Sequence, residues 1–141
     1  MARTATDHKT VLRSLLEGSA TGDPERLGAA VTDDVTGWSP NLLVVSRQEL
    51  LEALEDRQEA LSNVETTVDA LYEVGDTAVA EWHVVADHTG PFVVDDDAVV
   101  DATGRQLHLA GATFAEFDGD RICAFRHYFD DLALLEQVLG G

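Results

Sequence analysis

The chain has 141 residues, of which 9 are basic and 27 acidic, giving a formal charge of −18, with 45% apolar residues and a single cysteine. One domain spanning residues 1–141 is expected at this length, and folding would remove roughly two thirds of the unfolded chain's surface from water. The charge excludes nucleic acid and anionic membrane surfaces as partners, because no Lys/Arg cluster exists to hold phosphates, and the lone Cys123 excludes an intrachain disulfide and a cysteine-based zinc site.

The acids favour Asp (16) over Glu (11), and Lys9 is the only lysine. Dense surface carboxylates keep a protein hydrated in concentrated salt, which also screens their mutual repulsion, so the composition points to a halophilic protein. A GC-rich genome would explain Arg in place of Lys but not the charge. No apolar run exceeds four residues, against about 20 for a membrane span, so a cytoplasmic protein is expected.

In chain order, Thr6 to Gly18 sets Val11, Leu12, Leu15 and Leu16 at helical spacing, with Asp7 near the first turn and Gly18 or Gly22 as the stop. Asp23-Pro24 reads as an N-cap and first helical position, opening a short helix through Leu27 and Val31. Val35 to Ser39 reads as a brief strand ended by Pro40. Ser46-Arg47-Gln48-Glu49 is a capping box before a helix carrying Leu50, Leu51, Leu54 and Leu61. From Val64 the period falls to two. Strands are predicted near Glu65–Val74, Thr77–Asp87, Gln106–Phe117 and Arg121–Phe129, with hairpin turns at Gly75-Asp76 and Asp118-Gly119-Asp120. The interval from His88 to Gly104 reads as a loop. Its Asp95-Asp96-Asp97 run lacks the spacing of a calcium loop and is taken as solvated. A final helix carries Leu132, Leu135, Val138 and Leu139. Helices followed by strands indicate an α+β fold, a curved antiparallel sheet partly wrapped around helices, with a concave face where a small molecule would bind.

The second half then becomes specific. Asp87-His88-Thr89-Gly90-Pro91-Phe92, Thr103-Gly104-Arg105, Phe114, Phe117-Asp118-Gly119-Asp120-Arg121-Ile122, Arg126-His127-Tyr128-Phe129-Asp130 and Leu134-Leu135-Glu136-Gln137-Val138-Leu139-Gly140 follow one another in an order that resembles SnoaL-like polyketide cyclases of the nuclear transport factor 2-like superfamily. Trp38-Ser39-Pro40 and the Gly75-Asp76 turn leading to Trp82 fit the same pattern. The resemblance implies a cone-shaped half-barrel of the nuclear transport factor 2-like (cystatin-like) kind, a cavity for a small apolar molecule, a homodimer formed through the sheet, and no cofactor or metal. The superfamily hosts several chemistries, so the fold does not select the reaction.

His127 stands where related cyclases and epoxide hydrolases carry a catalytic aspartate. Strand alternation groups Cys123, Phe125, His127 and Phe129 on one face, assigned to the cavity, and Ile122, Ala124, Arg126, Tyr128 and Asp130 on the other. An imidazole exchanges protons near neutrality, so His127 is the candidate to abstract or return a proton on a bound carbonyl compound. A histidine bonded within the core is the structural alternative. The resemblance turns Trp82 inward and sets His88 at the cavity mouth, either to orient substrate or to fix its turn. Trp38, Phe114, Phe125 and Phe129 complete the candidate substrate-binding set. The hydrolase Arg and Asp positions are occupied by Trp82 and Val84, which argues against epoxide hydrolysis. Glu81 and His83 are taken as surface or dimer residues, and the face of His108 is open. The readings are therefore a cofactor-free cyclase- or isomerase-type enzyme, or a non-catalytic binding or association module of the same fold.

Overall fold

Residues 7–95 and 98–140 are described by the structure, a computed structural model. Asp7 starts α1 (His8–Thr21) by accepting the Lys9 N–H at 2.9 Å, and the helix buries Val11, Leu12, Leu15 and Leu16 on one face. Gly22 stops it in the left-handed conformation, φ 72°. Asp23 caps α2 (Pro24–Ala29) through the Arg26 N–H. Val31, expected in that helix, instead opens β1 (Val31–Ser39), which starts four residues earlier than its alternation suggested because an irregularity between Val31 and Thr36 interrupts the pattern. The three-residue β2 (Leu42–Val44), too short to show a period, returns antiparallel to β1. Ser46 accepts the Glu49 N–H at 3.1 Å, and the Glu49 carboxylate reaches back to the Val45 N–H, opening α3 (Arg47–Ala60).

The long strands are β3 (Leu61–Val74), β4 (Thr77–His88), β7 (Gln106–Asp118) and β8 (Arg121–Phe129). The interval expected to be a loop holds a hairpin, β5 (Phe92–Asp95) with β6 (Ala98–Val100), built on β-branched residues that the acidic run had masked; residues 96 and 97 of that run lie outside the described residues. Asp130 caps α4 (Asp131–Leu139), and Gly140 ends it. No helix among the described residues is long and apolar enough to cross a membrane.

The curved six-stranded sheet has the order β2-β1-β8-β7-β4-β3 and is not closed. It is mixed rather than all antiparallel as expected, because β1 pairs parallel with β8. These two strands are far apart in sequence, so no hairpin dictates their direction. A bulge sets Glu116 opposite Ala124 and Phe117 opposite Ile122, leaving Cys123 as the extra residue. Ile122 and Phe125 both turn to the helices and are buried, whereas strict alternation had assigned Cys123 there and Ile122 outside. The Cys123 thiol donates to the Glu116 carbonyl at 3.4 Å.

Leu12 and Leu15 of α1 and Leu50 and Leu54 of α3 pack with Ala78, Ala80, Trp82, Ala115, Phe117, Ile122 and Phe125 on the helix-facing side of the sheet. A smaller cluster forms where α4 brings Leu134 and Val138 onto Leu107, beside Leu61, Phe92 and Val100; Leu109 and Phe129 touch both clusters.

Candidate functional site

Neighbouring strands β4, β7 and β8 send alternate side chains toward the helices. Thr113 lies directly opposite His127, and Trp82 is opposite Gly111, one diagonal step from Thr113. The three polar groups meet. The Trp82 Nε1–H donates to Thr113 Oγ1 at 2.8 Å, and the same oxygen is 2.6 Å from His127 Nδ1. Thr113 is fully buried. An indole can only donate, so the hydroxyl oxygen accepts from it, and the hydroxyl proton has Nδ1 as its side-chain acceptor. With the hydroxyl donating to Nδ1, the neutral imidazole carries its own proton on Nε2, the nitrogen with no partner among the described residues.

The ring of His127 is enclosed by Trp82, edge-on at 6.3 Å, and Phe125, tilted at 4.9 Å. Removal from water, with the positive charge of Arg57 as the smaller cause, lowers its pKa to about 4. At neutral pH the side chain is an uncharged donor. Gly111 makes room for this arrangement, since a Cβ there would lie 2.7 Å from the Trp82 ring and 2.5 Å from the Tyr128 carbonyl oxygen.

Arg57, in the last turn of α3, donates to the Ser19 carbonyl near the end of α1 at 2.5 Å. It lines a recess of about 180 Å³ between the ends of these helices and the start of β3, together with Ser19, Thr21, Gln58, Ser62 and Asn63. Arg57 keeps exposed surface, yet desolvation lowers its pKa, as expected for a cation lining a concavity.

Of the residues singled out from the sequence, Trp82, Phe125, His127 and Phe129 share the helix-facing side. His88 also points inward but stays apart from the Trp82–Thr113–His127 chain. It is fully buried, its Nδ1 is 2.9 Å from Thr103 Oγ1, and its backbone bonds Gly104 and Arg105, so it ties residues 103–105 to β4. Trp38 and Phe114 require correction, because both lie on the outer face. Trp38 is 42% exposed, alternates with buried Gly37 and Ser39, and packs on Tyr128 at 5.4 Å. Phe114 alternates with buried Thr113 and Ala115, meets Tyr128 edge-on, and lies under the Arg126 guanidinium. His83, His108 and Glu81 are exposed there too, His83 pairing with Asp69 at 2.8 Å.

Thr113 and Arg57 were missed. Thr113 carried a signal, a hydroxyl at the parity of Leu107 and Leu109, whereas Arg57 sits in an acidic helix whose pattern does not distinguish it. Among the described residues no three His, Cys, Asp or Glu side chains gather as a metal-binding set.

The family model for SnoaL-like polyketide cyclase matches residues 9–138. Similar solved structures include AclR of Streptomyces galilaeus, proposed to be a hydroxylase, with TM-score 0.80, 15% identity, and coverage of 98% of this chain and 84% of that one. A protein of Jannaschia sp. CCS1, proposed as a SnoaL-like polyketide cyclase, gives 0.79 at 15% identity, covering 99% of each chain. IdmH of Streptomyces antibioticus, proposed as a polyketide cyclase, gives 0.77 at 18% identity, covering 96% of this chain and 100% of that one. At these identities the likeness carries the fold. Among curated proteins the sequence has no match.

Proposed function

The chain belongs to the SnoaL-like polyketide cyclase family, and on that premise we propose that it is a cofactor-free cytoplasmic enzyme of cyclase or isomerase type acting on a largely apolar carbonyl compound. The observation carrying this reading is the Trp82–Thr113–His127 chain on the helix-facing side of the sheet. With the Thr113 hydroxyl donating to Nδ1, it holds a neutral imidazole whose Nε2–H is the donor. A carbonyl oxygen placed there gains a hydrogen bond that strengthens as the oxygen takes on enolate charge, and a donor of this kind is worth on the order of 10²–10³ in rate. His127 thus supplies the acid half of the acid/base chemistry. The helix-facing positions of β4, β7 and β8 carry no carboxylate, so the fitting substrates are those whose C–H is already acidic, such as 1,3-dicarbonyls, with water taking the proton.

The test uses 1-phenyl-1,3-butanedione. When bound, it should ionise at least one pH unit lower than in water, read from enolate absorbance, and His127→Ala should restore the solution value while shifting Tm by only a few degrees. An unshifted ionisation in the wild type refutes the donor role.

The absence of a carboxylate also favours a second reading, a non-catalytic binding module. Native mass spectrometry of protein from its own host separates the two, since a retained ligand that stays chemically unaltered on incubation supports binding alone. The outer patch of Trp38, Leu43, Phe114 and Tyr128 supports a homodimer formed through the sheet, and the carboxylate excess supports a halophilic protein.

A further inference from the structure

We propose that Arg57 makes this site selective for acids: a carboxylate on the carbonyl substrate sits against the Arg57 guanidinium in the recess between α1, α3 and β3. The substrate class deepens the preceding reading and rests on it for the carbonyl, while the anion contact stands on the recess alone.

In a chain with three times more acids than bases, arginines find carboxylates readily. Arg13 and Arg26 pair with Glu17, Arg47 with Asp33, and Arg126 with Glu116. Arg57 has no carboxylate partner among the described residues, and neither has Arg105, which donates to the Gln137 carbonyl; of the two, Arg57 lines the recess. It spends one of its five N–H donors on the Ser19 carbonyl, and that bond alone explains a helix-end contact but not the open space beside it. The recess contains no acidic side chain. Its lining is Arg57 with the polar residues Ser19, Thr21, Gln58, Ser62 and Asn63 and the apolar Ala20, Leu61 and Val64; Thr21, Gln58 and Asn63 already donate to the Glu17 and Gly22 carbonyls and the Asp87 carboxylate, so the guanidinium is the principal donor there. The planar guanidinium fork matches a carboxylate in two parallel hydrogen bonds. A partly desolvated cation without a counter-ion is costly, and a bound anion relieves that cost. Leu61, which lines the recess, packs in the same cluster as Phe129, two residues along β8 from His127. A keto acid therefore has a place for each of its ends.

The experiment is calorimetric binding of 2-naphthoate and methyl 2-naphthoate to the full chain, which involves no turnover. The wild type should prefer the carboxylate at least tenfold. Arg57→Gln should erase the preference with ester affinity unchanged, and Arg57→Lys should keep part of it, guarding against a folding defect in the first variant. His127→Ala should keep it whole. Equal affinities in the wild type, no carboxylate binding at millimolar concentration, or a preference that survives in Arg57→Gln overturns the proposal, as does its loss in His127→Ala alone. A preference that persists while the diketone ionisation is unshifted would retain Arg57 and reject the donor role of His127.

Discussion

Replacing His127 with Asn should flatten the acid limb of the stability curve. The imidazole titrates near 6.5 in the unfolded chain and at about 4 in the folded one. The folded state thus disfavours the proton, so the unfolded state binds it first as pH falls. Stability is whole above pH 6.5 and is lost progressively between 6.5 and 4. At about 1.4 kcal/mol per pH unit, the drop from pH 7.5 to 4.5 attributable to this side chain is about 2.5 kcal/mol. That is a large part of the 5–15 kcal/mol typical of a folded domain. The Asn amide oxygen can still accept the Thr113 hydroxyl, so the variant keeps the hydrogen-bond chain while removing the titration. Urea denaturation at constant ionic strength, repeated across this range for both proteins, isolates the term, because the carboxylates common to both cancel in the difference. Parallel curves for wild type and His127→Asn would refute the argument that the ring is desolvated and neutral.

Thr113→Val removes the shared oxygen and leaves the Trp82 Nε1–H without its acceptor, so urea denaturation should show a loss of about 1–3 kcal/mol despite the matched shape. Gly111→Ala should cost a similar amount, about 1–3 kcal/mol by overpacking, with changed tryptophan emission as the indole is displaced. Tyr128→Glu, on the outer aromatic patch, should convert a dimer to a monomer by light scattering while leaving far-UV circular dichroism intact. The wild-type Tm should rise steadily as KCl is raised from 0.1 to 2 M, whereas a salt-independent Tm would remove the halophilic reading.

The helix starts were legible because they rest on local chemistry. Asp23-Pro24 and Ser46 with Glu49 act within four residues, and the structure uses them as caps. The long strands were equally plain, since β8 runs from Arg121 to Phe129 as its alternation indicated. What the sequence concealed depends on partners distant along the chain. The Cys123 bulge arises from β7, and it moved Ile122 inside without disturbing the parity of Phe125 and His127. Trp38 and Phe114 looked like cavity walls because aromatic character does not report a face; their neighbours Gly37 and Thr113 took the inner positions. Arg57 was invisible for the opposite reason, since an arginine amid glutamates on a helix looks like an ordinary solvated residue until α1 is set beside it.

The parallel pairing of β1 with β8 has a consequence for how the chain is made. Trp38 and Arg126 sit side by side although about ninety positions separate them, which gives the sheet a high contact order. During synthesis the early strand must wait, one edge bare, until β8 has left the ribosome. The second half of the sheet, β3, β4 and β7, can zip locally in the meantime, leaving the seam between β1 and β8 as the slow closing step. That seam is where nascent copies are most exposed to pairing with one another.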